Sequence, residues 1–116
     1  YAPPRLSLRK RQDAERTRVR MGIPLDDWFV CLHVSENDPP MARNASILNY
    51  LEAIEAITAA GGWVVRLSGP STTALPRMER VIDYPFTPFK SALMDMYLFS
   101  ECRYFFGMGF FSYFVN

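Results

Sequence analysis

Trp28-Phe29-Val30-Cys31-Leu32-His33-Val34 reads as a buried strand, and it opens abruptly into the polar stretch Ser35-Glu36-Asn37-Asp38-Pro39-Pro40-Met41-Ala42-Arg43. A helical pattern starts at Asn44: Ile47, Leu48, Leu51, Ile54 and Ile57 repeat at the three-and-four spacing of one buried face, with Glu52 and Glu55 elsewhere. Strand, polar loop and amphipathic helix in that order form the opening half of a parallel βαβ unit. In open α/β sheets ligands bind outside the carboxyl ends of the strands, where such loops converge. His33 is the chain's single histidine and sits one residue from such an end.

The pattern continues downstream. Asn44 or Ser46 can cap the start of the helix, and Gly61-Gly62 ends it. Residues 63–67, Trp-Val-Val-Arg-Leu, are strong β formers. Residues 68–73 are loop by composition, and a short helical turn is expected over 75–79 before a third strand at 80–84. A break at 85–88 precedes a helix over 89–100, whose apolar face is Leu93, Met94, Tyr97 and Leu98. A fourth strand, residues 104–106, ends at Gly107-Met108-Gly109. Continuous apolar strands alternating with helices predict a parallel sheet covered on both faces, and right-handed crossovers give the order 3-2-1-4 of a Rossmann-like half domain.

Upstream, residues 6–21 read as a charged helix with Gly22 suited to its C-terminal cap. Its apolar stripe, Leu6, Leu8, Ala14, Val19 and Met21, is thin, which predicts packing across an edge. The expected division is therefore a lead-in and helix over 1–25 and an α/β domain over 26–116. At 116 residues the chain fits one domain. A net charge of +1 makes no case for nucleic acid or an anionic membrane, although Arg5, Arg9, Lys10, Arg11, Arg16, Arg18 and Arg20 crowd the first twenty positions. Asp13 and Glu15 among them favour a solvated helix face over a polyanion site.

No apolar run is long enough to span a bilayer and no signal peptide precedes the first strand, so a cytoplasmic location is expected. The Asn44-Ala45-Ser46 sequon then reads as coincidence, and Cys31 and Cys102, without CxxC spacing, as buried thiols. Because the chain starts at Tyr1, the native N-terminus is expected to lie further upstream. The tail Phe110-Phe111-Ser112-Tyr113-Phe114-Val115 is unusually aromatic. A patch of that kind needs cover, which predicts a homo-oligomer through Phe110, Phe111, Tyr113 and Phe114.

Candidate ligand groups cluster at strand ends: His33 to Asp38 after strand one, Arg66 after strand two, Asp83 and Tyr84 after strand three, and Gly107 to Gly109 after strand four. Helix N-termini and glycine-exposed amides there suit a phosphorylated ligand, and Arg43 can add a bidentate contact. Arg66 has an alternative role as the ion-pair partner of Asp83, since neighbouring parallel strands bring their ends together. There is no Walker A, GxSxG or HExxH motif, and one His with two distant Cys does not make a structural zinc site.

Five segments carry a resemblance: Phe29-Val30-Cys31-Leu32-His33-Val34, Arg43-Asn44-Ala45-Ser46-Ile47-Leu48-Asn49-Tyr50-Leu51, Gly62-Trp63-Val64-Val65-Arg66-Leu67, Val81-Ile82-Asp83-Tyr84 and Leu93-Met94-Asp95-Met96-Tyr97-Leu98. In that order, over roughly residues 20–109, the chain resembles the C-terminal, donor-binding half of a bacterial glycosyltransferase family. That family is similar to fucosyltransferase-like enzymes of the GT-B fold. The resemblance implies a nucleotide sugar or nucleoside diphosphate as ligand. Nothing in the sequence calls for a cofactor or a metal, and none is expected. It places His33 in a His-x-Arg motif, Asp95 against the base, and a loop ending at Gly109 against phosphate. Ser35 stands where the motif has arginine, and Gly107-Met108-Gly109-Phe110-Phe111 stands where small or hydroxyl residues are expected. Both departures remove phosphate contacts. The substrate-binding set expected is His33, Arg43, Arg66, Asp83, Asp95 and Gly109. A GT-B reaction needs two domains, so the chain alone, as a fragment or degenerate copy, is expected to transfer sugar poorly. The alternative is a non-catalytic interaction module docking through its aromatic tail.

Overall fold

The computed structural model describes residues 6–34, 51–67 and 75–108. Helix α1 (Leu8–Met21) opens on Ser7, whose hydroxyl accepts the Lys10 N–H at 3.3 Å. It closes on Gly22 at φ 108°, a left-handed cap that a β-carbon would strain. Strand β1 (Phe29–Val34) follows, then α2 (Leu51–Ala59), β2 (Trp63–Arg66) and β3 (Val81–Asp83). A 3-10 turn (Tyr84–Phe86) leads to α3 (Ala92–Glu101), and β4 (Phe105–Met108) ends the described chain.

All strand pairs are parallel, and the sheet runs β3-β2-β1-β4. Among the described residues, the α/β class with parallel strands and three helices matches the expectation from sequence. Alternation along each strand sorts the side chains to two faces. Phe29, Cys31, Val65 and Ile82 pack with α1 and α3; Val30, Leu32, Val64 and Val81 pack with α2.

Helix α1 is less peripheral than its thin apolar stripe predicts. Ala14, Arg18 and Met21, spaced four and three residues apart, form its buried face, while Leu8 and Val19 are exposed. Arg18 occupies a position that charge alone assigns to solvent. Its guanidinium donates to the Tyr97 hydroxyl at 3.2 Å and to the Pro24 carbonyl at 3.0 Å, also reaches the Asp27 carbonyl, and lies 5.0 Å from the Phe29 ring centre. A buried cation is tolerated because its two terminal nitrogens find a hydroxyl and two carbonyls and its plane an aromatic ring.

Three local expectations are corrected. Residues 75–79 hold no helical turn: Leu75 gives its N–H to the Asp83 carboxylate at 2.8 Å, so the chain is pinned laterally. Helix α3 begins after Ser91, not near Phe89, because the Ser91 hydroxyl accepts the Met94 N–H at 3.1 Å and sets the first turn. Gly107 and Met108 lie inside β4 and not in a loop, since their pairing with His33 and Val34 extends the ladder past the glycine. At the end of α2, Gly61 is left-handed at φ 95°, and a β-carbon on Gly62 would stand 2.5 Å from the Trp28 ring. Sequence expects both glycines as a helix stop; the second is there for space.

Candidate functional site

The chain steps outward from β1 to β2 to β3, then crosses back through α3 to place β4 on the other side of β1. Helix α2 thus covers one face and α3 the other. A crevice at such a reversal is where open parallel sheets hold ligands. His33 sits there, paired in register with Gly107 of β4, and it is partly exposed. By strand alternation it shares the α3 face with Phe29 and Cys31.

Arg66 and Asp83 lie at the same rim but on the α2 face, and they are partners of one another. The register sets them side by side, and Arg66 Nε donates to Asp83 Oδ1 at 2.9 Å. The Arg66 side chain is fully buried, with Phe86 5.9 Å from its guanidinium carbon, and Asp83 Oδ2 accepts the Leu75 N–H. Of the two roles open to Arg66 in the sequence, the ion pair is the one formed. Both oxygens of Asp83 are committed, so this pair closes the core at the rim.

Asp95, in the first turn of α3, belongs to a third group. Its Oδ1 accepts the Tyr84 hydroxyl at 2.6 Å, and Lys90 Nζ contacts both oxygens at 2.9 and 2.7 Å. The Tyr84 oxygen in turn accepts the Ser91 N–H at 3.0 Å. Burial pushes the Tyr84 hydroxyl well above the ordinary tyrosine range, and the neighbouring Asp95 carboxylate adds to the shift. Lys90 and Tyr84 therefore orient Asp95, although 44% of the carboxylate side chain remains open to solvent. Sequence reading did not single out Lys90. Its one signal is its place just before a Ser N-cap and the acidic first turn.

The expected site residues are thus divided. His33 and Asp95 belong to the α3 side, Arg66 and Asp83 to the α2 side and to each other. Arg43, Ser35 and Gly109, with the aromatic positions Phe110, Phe111, Tyr113 and Phe114, lie outside the described residues. A groove of about 560 Å³ lies along the outer side of β3, lined by Met21, Ile82, Asp83, Phe86 and Phe89 among others. It is separated from the His33 rim by β2 and is mostly apolar, which does not suit a diphosphate. Among the described residues no three His, Cys, Asp or Glu side chains gather as metal ligands, and no helix is long and apolar enough to cross a membrane.

No family model, curated protein or solved structure matches the chain.

Proposed function

We propose that this chain is a Rossmann-like domain that binds the diphosphate of a nucleotide sugar at the carboxyl ends of β1 and β4, as the donor-binding half of a glycosyltransferase-like protein. The observation that carries the reading is the reversal of strand progression at β1 with His33 opposite Gly107. A glycine beside the crevice lets a bulky anion approach the backbone, and the imidazole offers a donor from the neighbouring strand. Asp95, held by Lys90 and Tyr84 but still open on one side, can accept from a base NH group.

In this reading the domain contributes binding and orientation. Sugar transfer needs an acceptor domain facing the same rim, and stabilisation of the leaving diphosphate needs cationic or hydroxyl donors. Ser35, where the related motif has arginine, supplies no charge, so affinity is weak and transfer by the chain alone is negligible.

Calorimetric titration with guanosine and uridine diphosphate tests this. Millimolar-range binding is expected for the wild type, lost in His33→Ala. Ser35→Arg should tighten it about ten- to a hundred-fold, the value of one charge-assisted contact. If neither diphosphate binds at millimolar concentration and Ser35→Arg changes nothing, the donor-site reading fails. A non-catalytic interaction module, associating through the aromatic tail, is then the better account.

A further inference from the structure

Cys31 and Cys102 are 71 positions apart in the chain, yet the fold brings them to one spot. The carbonyl of Leu98, in the last turn of α3, accepts from both: the Cys31 thiol at 3.5 Å and the Cys102 N–H at 3.1 Å. The segment after Cys102 is clamped to β1 on either side of Val30, with Arg103 N–H to Phe29 O at 2.7 Å and Cys31 N–H to Tyr104 O at 3.1 Å. Both side chains join the same apolar cluster between the sheet and α3. Cys31 is fully buried there, whereas Cys102 is partly exposed at the end of the helix.

We propose that Cys31 and Cys102 form a dithiol that a low-molecular-weight disulfide of the glutathione class converts to an intramolecular disulfide, tying the C-terminal end of α3 to the central strand. The chemistry is asymmetric because the environments are. Burial pushes the Cys31 thiol well up, and the adjacent Cys102 adds to this. The contact with Cys31 draws the Cys102 thiol down, against partial burial and the nearby Glu101 carboxylate. Cys102 is therefore both the less buried of the two residues and the one whose thiol more readily becomes a thiolate.

As its thiolate, Cys102 attacks one sulfur of the oxidant, forming a mixed disulfide and releasing one small thiolate. Cys31 then loses its proton and attacks the Cys102 sulfur, forming the Cys31–Cys102 bond and releasing the second small thiolate. The protein loses two hydrogens, and the oxidant is reduced to two thiols. Cys102 lies outside helix α3, as its cap residue.

The experiment is to expose the folded 116-residue chain to excess oxidised glutathione and follow it by intact mass spectrometry and non-reducing peptide mapping. The expected product has lost two hydrogens and yields one cross-linked peptide pair containing Cys31 and Cys102. Cys31→Ser should stop at a stable glutathione adduct on Cys102. Cys102→Ser should leave Cys31 unmodified until denaturant is added. Since a hydroxyl in place of the buried thiol can disturb the core, Cys31→Ala is the companion variant, with the same adduct expected. The wild-type disulfide should also raise the unfolding midpoint by several degrees, reversed by reductant. A wild-type chain that keeps both thiols free, accumulates a lasting glutathione adduct, or cross-links only between molecules overturns the proposal.

Discussion

The two faces of the sheet are built on different principles. Beneath α2 the core is aliphatic, with Val30, Leu32, Ile54, Ile57 and Val64 in contact and, among the described residues, an Arg66–Asp83 ion pair at the rim. Beneath α1 and α3 the core is larger and threaded by polar anchors: Arg18 on Tyr97 and two carbonyls, Tyr84 on Asp95 and Ser91, the Cys31 thiol on the Leu98 carbonyl and the Cys102 thiol on the Phe99 carbonyl. The first face is specified by shape, the second by shape and directed bonds. The lesson for function is that a charged residue at a strand end is not by that fact a ligand group. Arg66 is fully buried against Asp83, whose side chain is only 21% exposed, whereas Asp95 leaves 44% of its side chain to solvent and His33 is partly exposed.

The largest effect should come from Asp83→Ala. It removes the carboxylate from a fully buried guanidinium and the acceptor from Leu75, at a cost of about 3–5 kcal/mol. Urea unfolding measures it. If the pair closes the core and does no more, the double variant Arg66→Met with Asp83→Leu recovers much of the loss. A single variant as stable as wild type would break the contrast between the faces.

Next, Gly62→Ala tests shape on the α2 side. The added methyl meets the Trp28 ring, which must move, and overpacking of this kind costs about 1–3 kcal/mol. Trp28 fluorescence should shift together with the unfolding midpoint.

On the anchored face, Tyr84→Phe deletes the hydrogen bond to Asp95, a loss of about 1–2 kcal/mol near neutral pH. The pH dependence is the sharper readout. The folded-state hydroxyl titrates above its unfolded value of about 10, so its contribution is fully present below that pH. It is lost as pH rises further, because the unfolded chain ionises first. Melting curves over roughly pH 8 to 11, a span that brackets the unfolded value, should show a steeper alkaline decline for wild type than for Tyr84→Phe. Equal slopes would remove Tyr84 as an anchor.

The smallest change belongs to the exposed side of α1. Arg16 contacts Asp13 one turn away, in water, and Arg16→Ala should shift stability by less than about 0.5 kcal/mol. A larger loss would mean that surface charge on this helix matters more than its buried Arg18.

Much of this layout is legible in the residues. Gly22 and Gly61 mark helix ends because glycine, with no β-carbon, takes the left-handed backbone at φ 108° and 95° without strain. The apolar runs around Val30 and Val64 are strands because continuous hydrophobic stretches that short are buried on both faces. Even the Arg66–Asp83 pair follows from two parallel strands ending side by side.

Residue order alone thus settles local matters: periodicity and capping fix which segments are helix or strand, and they put polar residues at strand ends. Assignments that depend on a neighbour distant in the chain are settled by packing. Arg18 is buried because Tyr97, Pro24 and Asp27 meet it, and residues 75–79 are irregular because Asp83 captures Leu75. Gly107 is strand because β1 continues beside it. Cys31 meets Cys102 because α3 ends over β1. In each case the deciding energy is a bond or contact between groups whose separation along the chain carries no periodic signal.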